Sequence, residues 1–99
     1  MSRGPDVTTL LERRLRIAAE AAGVSIGIVA CTATPWASAT FNGARHRMTI
    51  ESADAGLAAW LATLPEAELP LRGHLVADLV VTHAADGVAR IEVLSVEER

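Results

Sequence analysis

The stretch that decides the fold is ATFNGARHRMTI, residues 39–50. It alternates apolar and polar residues as a half-buried strand does, yet Asn42-Gly43 interrupts it. Asn-Gly between alternating hydrophobics is a strong hairpin signal, because both residues accept the positive φ of a two-residue turn. The rival is a bulge, in which a glycine with positive φ adds one residue to a strand that continues. The two halves of the chain match only if the strand continues, so the pattern favours a bulge within one strand over 36–51. Both alternatives give the same facing pattern. Ala37, Ala39 and Phe41 before the pair, and Ala44, His46, Met48 and Ile50 after it, face the core. Ser38, Thr40, Arg45, Arg47 and Thr49 face away.

Working outward, residues 1–6 read as a flexible arm and 7–99 as one domain. TLLERRLRIAAEAAG, 9–23, has helical spacing in Leu11, Leu15, Ala18 and Ala22. Thr9 and Glu12 stand at the spacing of a capping box, Gly23 supplies the stop, and Glu12, Arg16 and Glu20 form a solvated ladder. VSIGIVACT, 24–32, reads as a strand ended by a turn at Ala33-Thr34-Pro35. Ser52 is the expected N-cap of a second helix whose apolar stripe is Leu57, Trp60, Leu61 and Leu64, and Pro65 ends it. A loop over 65–73 leads to two further strands, 74–83 and 88–98, joined through Ala85-Asp86-Gly87.

The order is αββαββ. The expected fold is an α+β two-layer sandwich: one four-stranded antiparallel sheet with both helices on one face. It is the ferredoxin-like βαββαβ order with the first strand moved to the end.

Composition narrows the function classes. Half the residues are apolar and a fifth charged, which excludes a disordered chain. The net charge of −3 argues against nucleic-acid and membrane-surface binding, which need a positive field. Every basic residue is arginine in an alanine-rich chain, as a GC-rich bacterial coding bias produces. Cys31 stands alone, so no internal disulfide forms and a reducing compartment is expected. The N-terminus lacks the apolar core of a signal peptide, and no apolar run approaches the roughly 20 residues of a membrane helix. These features point to a bacterial cytoplasmic protein.

Arg45-His46-Arg47 is the most chemical-looking run, but alternation separates His46 from the two arginines. The bland reading makes His46 a partly buried, hydrogen-bonded histidine and pairs the arginines with Glu92 and Asp78 across the sheet. The functional reading is an anion site, a carboxylate or phosphate held by Arg45 and Arg47 with Trp36 and His46 nearby. Cys31, His46, His74 and His83 match no metal-ligand spacing, so neither metal nor cofactor is expected. No nucleophile elbow, dinucleotide fingerprint or P-loop is present, and no catalytic residue stands out. Of the aromatics only Trp36 reaches the outer sheet face, too little for stacking on RNA.

That outer face should also carry Val29, Cys31, Val76, Val80 and Leu94, making it half apolar. The reading is therefore a small non-catalytic domain that associates through this face, as a homodimer or with another protein. The alternative is a small-molecule or anion-binding protein, or a small enzyme. Its pocket would lie near Trp36, Arg45 and Arg47, or near His46 and the 65–73 loop.

Overall fold

The computed structural model describes residues 6–98. Helix α1, Val7–Ala21, starts from Asp6, whose carboxylate accepts the Thr9 backbone N–H at 2.8 Å. The cap is thus Asp6, not Thr9: the helix begins at Val7, so Thr9 is already inside its first turn and supplies the orphan N–H that the carboxylate accepts. Asp6 thereby leaves the expected arm and joins the helix, while residues 1–5 lie outside the described residues. Gly23 closes the helix at φ +76°, as its position implied.

The strands are β1, Gly27–Ala37; β2, Asn42–Glu51; β3, His74–Ala85; and β4, Val88–Glu97. Helix α2, Leu57–Thr63, joins the hairpins and runs into a 3-10 turn over Leu64–Glu66 that contains Pro65. The sheet is antiparallel throughout, in the order β1-β2-β4-β3. The two helices and the four-stranded antiparallel sheet are as expected. Leu11, Leu15 and Ala19 of α1 and Leu57, Trp60 and Leu61 of α2 join Met48, Ile50, Ile91 and Val93 in one core. Each fully buried Leu or Ile stabilises by about 1.5–3 kcal/mol before entropy is counted.

Asn42-Gly43 is neither turn nor bulge. β1 runs straight through Ala33-Thr34-Pro35, with Pro35 opposite Ala44. An edge strand tolerates the missing N–H because its outer side needs no donor. The chain then turns over 38–41: the Ser38 N–H donates to the Phe41 carbonyl at 2.7 Å, and the Phe41 N–H donates to Ser38 Oγ at 3.0 Å. Phe41 consequently sits in the loop, 50% exposed, instead of in the core. Gly43 does not have the positive φ that either reading required. A Cβ there would lie 2.8 Å from the Trp36 indole and would strike the Ser95 carbonyl oxygen. Glycine is needed for space.

The bulges lie elsewhere. Val29 is the extra residue in β1, and Ala77 and Thr82 are the extra residues in β3. Each shifts the alternation by one residue. Cys31 therefore falls opposite Met48 and Val76 opposite Ser95, both against the core, so neither belongs to the outer face as expected. Ser52 is likewise not a cap. Its hydroxyl donates to the Ser25 carbonyl at 2.6 Å, Asp54 accepts the Ser25 N–H at 2.6 Å, and Gly56 precedes α2. The last hairpin forms where expected, with Asp86 at φ 54° and Gly87 at φ 76°. Positive φ at both central residues is the signature of a type I′ turn.

Candidate association face

Register and burial fix which side chains share the open face of the sheet. Buried Ala89, Ile91, Val93 and Ser95 leave Val88, Arg90, Glu92, Leu94 and Val96 of β4 outward. The pairings extend these into cross-strand rows. At one end Trp36, Gly43, Val96 and Leu75 form an apolar row across all four strands. Thr34, Arg45, Leu94 and Asp78 come next, followed by Thr32, Arg47, Glu92 and Val80. Ala30, Thr49, Arg90 and His83 follow, and the far end holds Gly27, Glu51, Val88 and Ala85.

The charges at the centre are paired. Glu92 stands between the two arginines, 3.8 Å from Arg45 and 3.9 Å from Arg47. Among the described residues the second expected partner, Asp78, makes no such ion pair; it flanks Leu94 on the side away from Arg45. With both guanidiniums more than half exposed, each pair contributes only a few tenths of a kcal/mol. Across the whole face Arg45, Arg47 and Arg90 balance Glu51, Asp78 and Glu92, so it is locally neutral in a chain of net charge −3.

Trp36 lies on this face with its ring over Gly43, and its indole N–H is buried without an acceptor among the described residues. Val80 is 46% exposed, and Val29, at the β1 bulge, is 55% exposed. Leu94 is half-buried between Arg45 and Asp78. Leu75 and Val96 complete the apolar end and were missed in the sequence. The bulge at Ala77 assigns Leu75 to the outer side, and no residue type announces a bulge there.

His46 is on the other side of the sheet, fully buried. Its Nε2 lies 2.9 Å from Ser95 Oγ, which donates to the Ala44 carbonyl at 3.4 Å, and its Nδ1 lies 3.3 Å from Thr8 Oγ1. Each ring nitrogen thus has a hydroxyl partner, an arrangement that satisfies a neutral imidazole. Burial, reinforced by His74 and opposed by Asp6, pushes its pKa below the ordinary imidazole value. The Ser95–His46 distance is one a nucleophile and its base would have. Yet Ser95 is also fully buried, its proton is committed to a carbonyl, and a threonine stands where an orienting carboxylate would. The pair is structural. Trp36, Arg45 and Arg47 therefore share the outer face without His46, and the four do not form one site.

Cys31 is half-buried against the core, and burial first, then Glu12 and Asp6, raises its thiol pKa. Among the described residues no group of three His, Cys, Asp or Glu side chains is placed to hold a metal ion. No helix among them is long and apolar enough to cross a membrane. No known family, curated protein or solved structure matches the chain.

Proposed function

We propose that this chain is a non-catalytic association domain, in its simplest form a homodimer, that pairs through the outer face of its sheet. The observation that carries this reading is a charge-balanced sheet face that neither helix covers, crossed at one end by the row Trp36, Gly43, Val96 and Leu75. Such a face can meet a second copy of itself across a two-fold axis, each arginine finding a carboxylate and each apolar end its counterpart.

Long edge-to-edge pairing is the less favoured geometry. β1 is interrupted by the bulge at Val29 and by Pro35, and β3 by two bulges, all features that blunt an edge. Size supports a modest affinity. Strands of ten residues at about 3.3 Å each, four abreast at about 4.8 Å, give a face of roughly 600 Å². Two such faces bury about 1,200 Å², the lower bound for a specific interface. The lone thiol and arginine-only composition suit a bacterial cytoplasm, where we place it.

Light scattering after size exclusion, over a concentration series, tests the reading. The wild type should shift from monomer to dimer, and Leu94→Glu should weaken that equilibrium at least tenfold without changing the circular dichroism spectrum. A wild type that stays monomeric at millimolar concentration would remove the homodimer.

A further inference from the structure

An open groove of about 570 Å³ follows the free edge of β3 beneath α2 and borders the outer face at Asp78 and Val80. Ala58, Leu61 and Ala62 line it from the helix, and Leu79, Val81 and Ala84 from the strand. A second hollow of about 240 Å³ shares Ala58, Leu61 and Ala84 and extends it toward the Asp86-Gly87 turn. Between the bulges at Ala77 and Thr82 the edge is regular over 78–81, with no strand on its far side. Outward N–H and C=O groups there can pair with an extended backbone, while the alanines of α2 leave room for its side chains.

The charges show what kind of segment fits. Asp78 stands at one end of the groove and Asp54 and Asp86 at the other, and no arginine among the described residues lines it. We propose that this groove binds an extended apolar segment of a partner protein flanked by basic residues, which adds to β3 as a short fifth strand. Among the described residues, neither free edge strand of a second copy is such a segment: GIVACTATPWA carries no charge, and HLVADLVVTHAA carries an aspartate and no arginine.

The probe is a capped heptapeptide alternating valine and threonine with arginine at both ends, titrated into the full chain labelled with ¹⁵N. Amide shifts should concentrate at 78–84 and in α2. A glutamate-flanked peptide, and one with prolines in place of the valines, should each bind at least tenfold more weakly. Ala62→Arg should abolish binding, and Asp78→Asn combined with Asp86→Asn should weaken it several-fold at low salt, where the charges are least screened. Leu94→Glu should leave it unchanged, which separates this groove from the outer face.

Equal affinity for the glutamate-flanked peptide, shifts confined to the outer face, or no shift at millimolar peptide would overturn the proposal. So would an Ala62→Arg chain that turns a peptide-free dimer into a monomer, since the occupant would then be a second copy. The peptide controls need no variant, so a misfolded Ala62→Arg chain leaves the test intact.

Discussion

His46 shows how one residue can stand in the most chemical-looking run of a sequence and be structural in the fold. The alternation around it reads correctly as core-facing, so the separation of the histidine from Arg45 and Arg47 was legible. Its partners were not, because Thr8 and Ser95 lie 38 and 49 residues away along the chain. A buried neutral imidazole has a measurable consequence. Its folded pKa lies below the ordinary value of about 6.5, so the unfolded chain takes up the proton first. Stability is then complete above about pH 6.5 and falls as pH drops below it, by at most about 1.4 kcal/mol per pH unit. The groups acting on the ring are Asp6, which opposes this shift, and His74, which adds to it. Urea midpoints should be flat from pH 8 to 7 and decline from 6.5 to 5, and His46→Gln should flatten the decline. Midpoints that do not move over that range in the wild type would refute a neutral buried ring.

At the scale of elements, strong periodicity survived and local punctuation did not. Leu11 and Leu15 of α1, the stripe of α2, the hairpin turn at Asp86-Gly87 and the number of strands follow from spacing and turn chemistry, whereas Ala19, not Ala22, completes the buried side of α1. The positions where the chain breaks its rhythm were misread in both directions. Proline and Asn-Gly looked like breaks and lie inside strands; Val29, Ala77 and Thr82 look like ordinary strand residues and are the breaks. A bulge is set by how two strands must twist and pair, information absent from either strand alone. That is why three of the five outer-face residues, Val29, Val80 and Leu94, keep clear of the core while Cys31 and Val76 turn toward it. Helix capping makes a sharper test of element boundaries. Asp6→Ala should destabilise the protein by about 1 kcal/mol in urea, whereas Thr9→Ala should cost less, since the donor in that bond is the Thr9 backbone. The reverse ranking would restore Thr9 as the cap.

In the whole molecule, two αββ halves are joined along one seam, the β2–β4 pairing from Gly43–Val96 to Glu51–Val88. Ile91 and Val93 are buried only because α1, α2 and β2 are in place around them. The β3–β4 hairpin expressed alone, residues 69–99, should therefore lack stable structure by circular dichroism, as isolated two-stranded sheets do. A folded hairpin would mean that the halves are independent. The same seam governs chemical ageing. An Asn-Gly bond is the sequence most prone to deamidation, which requires the glycine nitrogen to swing round and attack the asparagine side chain. Here Gly43 is held in register between Trp36 and Val96 with no room around its Cα, so the folded sheet shields a bond that the unfolded chain would lose. The lifetime of Asn42 in solution thus becomes a slow clock that reads how often the sheet opens.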